Sequence, residues 1–172
     1  NSSSKAKALA MGFECIELEN QNLLNFRTFL MLIPDDKHVS FFLKNQAFLK
    51  NNSHFIYAHG FSLSKERLHE KYSQFSHSLL APKAIASDVR FQYETKGKIG
   101  AAFYAQNVEN EIILKDLAAK LGFNALYKSH FDEECIADLF SEQSLLCAIM
   151  NIIRSYYYLV SGKTGQDLHS KS

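Results

Sequence analysis

Thr28-Phe29-Leu30-Met31-Leu32-Ile33-Pro34-Asp35-Asp36-Lys37 is the stretch that sets the architecture, an apolar run closed by a proline and two acids. Such a run reads as a strand buried on both faces, and Pro34 with the acids stops it and starts a helix over roughly 37–49. Phe55-Ile56-Tyr57-Ala58, closed by His59-Gly60, repeats the pattern. Leu79-Leu80-Ala81 before Pro82, residues 99–104 and Ala125-Leu126-Tyr127 predict further strands, and residues 110–120 a helix that stops at Leu121-Gly122. Upstream, Ser2-Ser3-Ser4 supply helix caps for 5–11, Gly12 ends that helix, and 13–16 follow as a short strand. The alternation predicts an α/β fold, a mostly parallel sheet with flanking helices. The 7 glycines and 2 prolines form no linker-like cluster, and no internal repeat is visible.

Bulk properties narrow the function. At 172 residues the chain has the length of one domain, and 47% hydrophobic with 22% charged residues is ordinary globular composition. Net charge is +1, with Lys and Arg scattered among Asp and Glu, which leaves no basic face for nucleic acid or an anionic membrane. Cys15, Cys135 and Cys147 form no CxxC pair, and the last two lie roughly 18 Å apart along one predicted helix, too far for a disulfide. The chain opens with Asn1-Ser2-Ser3-Ser4 rather than a basic and then apolar leader, so a reducing, cytoplasmic setting is expected.

From residue 132 to about 161 the pattern predicts one long helix, whose second half, 145–160, is apolar nearly all round apart from Asn151, Arg154 and Ser155. A helix without a polar face is expected to be buried. The run is shorter than the about 18–20 residues of a membrane span and contains Arg154, so burial against other helices is the preferred reading. Those helices are not evident in this chain, which points to a homo-oligomer or a complementing chain as partner.

Within that helix Glu134, Asp138 and Glu142 recur every fourth residue. Like charges at this spacing oppose each other by roughly 0.2–0.5 kcal/mol per pair, so a cation is expected beside them, a divalent metal being the obvious candidate. A plainer reading also holds for the earliest acids: Asp132, Glu133 and Glu134 occupy a first helical turn, where the macrodipole favours negative charge by about 0.3–1 kcal/mol each. Open parallel sheets bind ligands beyond the carboxyl ends of their strands, and there Pro34 to His38, His59-Gly60-Phe61 and Pro82-Lys83 fall. Alone, His59 is more readily structural than catalytic and Lys83 a surface lysine; their shared edge links them.

In order and approximate spacing these segments resemble ketol-acid reductoisomerase. The resemblance is carried by Met31-Leu32-Ile33-Pro34-Asp35-Asp36-Lys37-His38, Ala58-His59-Gly60-Phe61, Ala81-Pro82-Lys83 with Val89-Arg90, and Phe131-Asp132-Glu133-Glu134 leading into Asp138-Leu139-Phe140-Ser141-Glu142-Gln143 and Leu146-Cys147. Residues 2–14 are similar to that family's segment after its second strand. The resemblance implies a two-part reaction of branched-chain amino-acid synthesis: magnesium-dependent alkyl migration in a 2-acetyl-2-hydroxy acid, then reduction by NADPH. It implies that Asp138 bridges two magnesium ions and Glu142 binds one, that Glu134 joins the hydrogen-bond network around them, and that His59 and Lys83 orient substrate oxygens and assist proton movement. It further implies contacts to the cofactor from Ser2 and Ser4 at the 2′-phosphate, from Asp35, Asp36, Lys37 and His38 beside the nicotinamide nucleotide, and from Ala84.

The sequence also departs from the family. It contains no GxGxxG, and it opens after the point where the family's first strand, Gly-rich turn and first helix belong. After Lys83, where the family typically has Gly-Pro-Gly-His, stands Ala84-Ile85-Ala86-Ser87, and a common Gly-Gly after the Leu-Cys is Ala148-Ile149. The family's other two metal-binding glutamates and a substrate-contacting serine lie on helices beyond the last residue here. The implied organisation is a Rossmann-like domain over 1–130, lacking its first strand and Gly-rich turn, and over 131–172 the first helix of an incomplete all-α domain plus a polar tail. Three functional readings follow: an enzyme completed by another chain, a non-catalytic remnant or interaction protein, and a nucleotide- or metal-binding module without turnover. For activity of the chain alone, the departures favour the second.

Overall fold

The structure is a computed structural model that describes residues 2–16 and 20–162, without the side chains of Ser2, Asn20, Gln21, Glu142 and Gln143. Five strands form one sheet in sequential order: β1 (Thr28–Met31), β2 (His54–Tyr57), β3 (Ser76–Pro82), β4 (Ile99–Tyr104) and β5 (Phe123–Lys128). Every neighbouring pair is parallel except β3 and β4, so the mostly parallel sheet is found, with one reversed pair. The helices are α1 (Ser2–Ala10), α2 (Asn20–Leu23), α3 (His38–Asn45), α4 (Phe61–Ser64), α5 (Leu68–Lys71), α6 (Ala86–Thr95), α7 (Val108–Lys120), α8 (Phe131–Leu139) and α9 (Cys147–Ser161). A π-helical segment, Phe140–Leu146, joins the last two.

Successive strand side chains point to opposite faces, which sorts the core into two layers. Phe55, Tyr57 and Leu79 meet Phe42 of α3, Leu63 of α4, Leu68 of α5 and Phe131 of α8. Aromatic rings fill this layer, with Phe42 centred 4.8 Å from Phe55 and 4.5 Å from Tyr72. On the other face Ile56, Leu80 and Phe103 meet Leu114 and Ala118 of α7, with Val89 of α6 at the margin. That cover stops short of β1: Leu30 is 50% and Leu32 71% exposed. A groove of about 330 Å³ remains beside them, lined also by Ile56, Leu80, Pro82 and Val89.

The elements depart from the sequence expectations where tertiary partners decide. Residues 13–16 form no strand, and Phe13 and Ile16 are exposed; a strand needs a hydrogen-bonded neighbour, and among the described residues they have no strand partner. The short α4 and α5 and the whole of α6 escape periodicity, because α4 and α5 span a single turn each and α6 buries none of its residues. The apolar α9 is exposed, with Ile152 at 68% and Leu159 at 80%, so within the described residues the expected burial of this helix is not met. Phe131–Ser161 is a helical stretch of 31 residues, long and apolar enough by length and composition alone to cross a membrane. The same features describe a helix that other helices cover.

Candidate active site

Two parallel strands deliver the first half of the site to one sheet edge. β2 ends at Tyr57 and the chain turns through His59-Gly60 into α4; β3 ends at Pro82, immediately before Lys83. The second half comes from α8, which packs on the aromatic layer through Phe131. Its start is fixed by a reciprocal cap, the His130 side chain accepting from the Asp132 N–H while the Glu133 side chain accepts from the His130 N–H. One turn further, Glu134 faces inward.

The four groups form a closed polar chain. Glu134, with only 1% of its side chain exposed, accepts from Lys83 Nζ through Oε1 at 2.7 Å and from the Gly60 N–H through Oε2 at 2.7 Å. Lys83 Nζ also lies 3.7 Å from Asp138 Oδ1. His59 Nε2 is 2.7 Å from Asp138 Oδ2, and the Phe61 N–H reaches His59 Nδ1 at 2.9 Å. An amide donating to Nδ1 makes that nitrogen an acceptor, so the ring proton sits on Nε2 and is donated to Asp138. The ligand atoms of His59, Glu134 and Asp138 lie within 4.8 Å of one another. The cation expected beside the carboxylates is thus supplied first by the chain itself, as Lys83.

Other predicted residues are distributed around this centre. Asp35, Asp36 and Lys37 form a 3₁₀ turn directly after β1, on the same edge; Asp35 accepts from Ser62 Oγ at 2.9 Å, and Asp36 pairs with Lys37 at 2.7 Å in solvent. His38 differs from its expected place beside a nucleotide. It is 2% exposed, with Nδ1 2.7 Å from Ser62 Oγ and Nε2 3.0 Å from the Ile33 carbonyl. Burial lowers its pKa, Asp35 opposing the shift. Its ring therefore ties the turn to α4. Ala84 borders the cavity of about 420 Å³ shared by His59, Glu134 and Asp138, as do Ile85 and Ala86. Ser4 is exposed in the first turn of α1; the Ser2 and Glu142 side chains lie outside the described residues. The backbone of Glu142 belongs to the π-helical segment, whose wider turn breaks the every-fourth-residue stripe that Asp138 would continue.

Sequence reasoning placed Gly60 at the sheet edge and in the family motif but gave it no role of its own. A Cβ there would collide with the Phe131 carbonyl and Glu134 Oε2, so the absence of a side chain is what lets α8 bring Glu134 onto the Gly60 N–H. The signal was present as a glycine between the strand-end His59 and a new helix. Cys135, the next residue on α8, is buried, and burial raises its thiol pKa. That is the setting of a packed thiol rather than a nucleophile.

Residues 1–125 match the family model described as acetohydroxy acid isomeroreductase, NADPH-binding domain. The chain belongs to that family. It is 31% identical over 148 residues to a ketol-acid reductoisomerase (NADP(+)) of Helicobacter acinonychis, covering 82% of this chain and 44% of that one. To the same-named protein of Sulfurimonas denitrificans it is 28% identical over 153 residues, covering 84% and 44%. The chain thus spans less than half the length of these relatives. Among solved structures it resembles an NADH-preferring ketol-acid reductoisomerase from an uncultured archaeon, with a TM-score of 0.77 at 21% identity over 92% of this chain and 50% of that one. A semialdehyde dehydrogenase NAD-binding protein from Cupriavidus necator, in complex with calcium and NAD, gives a TM-score of 0.70 at 13% identity. These two likenesses establish the Rossmann-like fold, and the family model makes this chain an acetohydroxy acid isomeroreductase dinucleotide-binding domain carried on into a long helix.

Proposed function

We propose that the cluster of His59, Lys83, Glu134 and Asp138 is the substrate and metal wall of a ketol-acid reductoisomerase site that acts on 2-acetyl-2-hydroxy acids. The single observation that carries this reading is the closed chain His59–Asp138–Lys83–Glu134 at the carboxyl ends of β2 and β3. The donor set suits magnesium: Asp138 is a half-buried carboxylate at the mouth of a cavity, and oxygen ligands are what this ion prefers; Glu142, in the π-helical segment beyond it, would be the second carboxylate. Bound there, magnesium acts as a Lewis acid on the substrate's oxygens.

The chain's own residues do the rest. Glu134 has both oxygens committed to Lys83 and Gly60, so it orients Lys83 rather than ligating the ion. Lys83 Nζ presents its remaining protons to a substrate oxygen. His59, held in one tautomer by the Phe61 amide, directs Nε2–H at Asp138; were Asp138 to hold a metal, that N–H would be left for a substrate oxygen. By the family resemblance Asp35, Asp36, Lys37 and Ala84 would hold the nicotinamide end of an NADPH, and Ser2 and Ser4 its 2′-phosphate. The phosphates have no Gly-rich cradle in this sequence, so the fit to the dinucleotide is partial, and no step is derived through it. The exposed Ile85, in place of a glycine-rich loop, narrows the same mouth. This favours a wall that holds metal and substrate without completing turnover by itself; the apolar α9 is covered by helices of a complementing chain or domain.

The test is calorimetric titration with magnesium, titration with NADPH, and then 2-acetolactate turnover followed by NADPH oxidation. The expected result is magnesium binding that Asp138→Asn removes, weak NADPH binding, and no turnover by these 172 residues alone. Lack of magnesium binding at millimolar concentration overturns the metal wall, and measurable turnover overturns the incompleteness.

A further inference from the structure

A row of three polar side chains joins the turn after β1 to α4, on the sheet edge that also carries His59. His38, the first residue of α3, is buried, with Nδ1 2.7 Å from Ser62 Oγ and Nε2 3.0 Å from the Ile33 carbonyl. Ser62, fully buried on α4, places the same Oγ 2.9 Å from Asp35 Oδ1. Asp35 differs from both, with 40% of its side chain exposed. The reductoisomerase reading gives Ser62 no part.

The hydrogens along this row do not suffice while the ring is neutral. A carbonyl only accepts, so His38 Nε2 carries a proton. In a neutral imidazole Nδ1 is then a bare acceptor, and the Asp35 carboxylate is another. Between them stands one hydroxyl with a single hydrogen, which serves only one of the two at a time. One further proton resolves the conflict. Placed on Nδ1 it is donated to Ser62 Oγ, the hydroxyl hydrogen passes to Asp35, and every contact in the row is bonded, with opposite charges at its two ends.

Burial decides what happens without that proton. Sealed from water, His38 Nδ1 keeps the hydroxyl hydrogen, because leaving a buried acceptor unpaired costs its full desolvation. Asp35 can turn to solvent instead, and two oxygens 2.9 Å apart with no hydrogen between them repel it outward. The other groups facing the ring are already engaged: Asp36 pairs with Lys37 at 2.7 Å, and Tyr57, its ring centred 5.5 Å away, has its hydroxyl 3.0 Å from His77 Nδ1. Burial lowers the His38 pKa from 6.5, with Asp35 the strongest opposing influence, so the proton is taken up below pH 6.5. We propose that Asp35, Ser62 and His38 form a proton-operated latch, closed onto α4 when His38 is charged and open, with Asp35 in solvent, when it is neutral. The latch acts next to Phe61, the first residue of α4, whose N–H fixes the His59 tautomer.

The test is an NMR titration of the intact chain from pH 8 to pH 4.5, reading the His38 ring nitrogens and the Asp35 carboxyl carbon and χ1 couplings. Expected at pH 8 are the Nε2–H tautomer of His38 and averaged χ1 couplings at Asp35. As the pH falls, Nδ1 gains a proton and Asp35 settles into one rotamer at the same midpoint. Asp35→Asn keeps an oxygen that can accept from Ser62 but removes the charge, and should lower the His38 midpoint by about one pH unit, a tenfold loss of proton affinity. Ser62→Ala should leave the Asp35 couplings averaged at every pH. Asp35 lies half in solvent, so D35N tests the latch without disturbing the core. An Nδ1–H tautomer at pH 8, no protonation of His38 above pH 4.5, or an unchanged midpoint in D35N overturns the latch. An Asp35 rotamer that does not change with pH overturns it equally.

Discussion

The two faces of the sheet differ in how completely this sequence covers them. On one, α3, α4, α5 and α8 close an aromatic layer around Phe42, Phe55 and Leu79, each with no exposed surface. On the other, α7 and the margin of α6 cover β3 to β5 and stop, leaving Leu30 and Leu32 in solvent beside an apolar groove. Parallel sheets are covered on both faces, so the second face is the one built to receive more structure. The difference teaches where the site's rigidity originates: α8, which carries Glu134 and Asp138, is anchored on the closed face and needs nothing from the open one.

The largest expected effect tests that asymmetry directly. Phe42→Ala removes the ring at the centre of the closed layer, stacked on Tyr72 and packed edge-on to Phe55. It should cost about 3–5 kcal/mol, a large share of the 5–15 kcal/mol typical of a domain. Leu30→Ala on the open face should shift stability by no more than about 0.5 kcal/mol. Urea unfolding followed by circular dichroism measures both, and equal losses would break the distinction between the faces.

Each face also buries a histidine against strand neighbours, and acid should expose both. His77, on the closed face between Tyr57 and Tyr72, and His54, on the other beside Ser78, are each pushed by burial from 6.5 to about 4. Both are neutral when folded at pH 7. As pH falls below 6.5 the unfolded chain takes up protons that the folded chain refuses, so stability declines from there down to about pH 4. The slope is at most about 1.4 kcal/mol per pH unit for each histidine. Urea midpoints between pH 7 and pH 4.5 should fall accordingly, and His77→Gln should remove about half of the slope. A pH-independent midpoint would mean that neither ring is held neutral by its layer.

Much of this was legible in the sequence, and the remainder was hidden for identifiable reasons. Apolar runs closed by Pro34, His59-Gly60 and Pro82 located β1, β2 and β3, although β1, expected to be buried on both faces, is left open on one. The edge shared by His59 and Lys83 followed from that topology alone. What periodicity could not give was phase across a change of helix type: Glu134, Asp138 and Glu142 read as one stripe, yet a π-helical segment starts at Phe140 and interrupts it. Nor could it separate His38, whose ring is consumed by Ser62 and Ile33, from the exposed Asp36 and Lys37 beside it. Burial of a single side chain depends on which distant helix lands upon it, here α4, whose one turn leaves no periodic signature.

A smaller loss than that of Phe42 joins the closed face to the site. Gly60→Ala would push a methyl group into the Phe131 carbonyl, which is backbone and cannot swing aside, and into the Glu134 carboxylate. Overpacking of this kind costs about 1–3 kcal/mol, less than the loss of Phe42, yet it falls at the one point where α4 and α8 fix the carboxylate. Relief requires α8 to move outward, which stretches both the Gly60 and the Lys83 bonds to Glu134. Thermal melting should therefore show a modest loss, whereas magnesium titration should show a disproportionate one, because Asp138 rides on the same helix one turn away. Cys135→Ala, a small buried truncation on that helix which leaves the Gly60 contact intact, is the control. If it lowers magnesium affinity as much as G60A at an equal loss of melting temperature, general loosening of α8 accounts for the effect. If only G60A does, the approach of Gly60 to Glu134 sets the geometry of the metal wall.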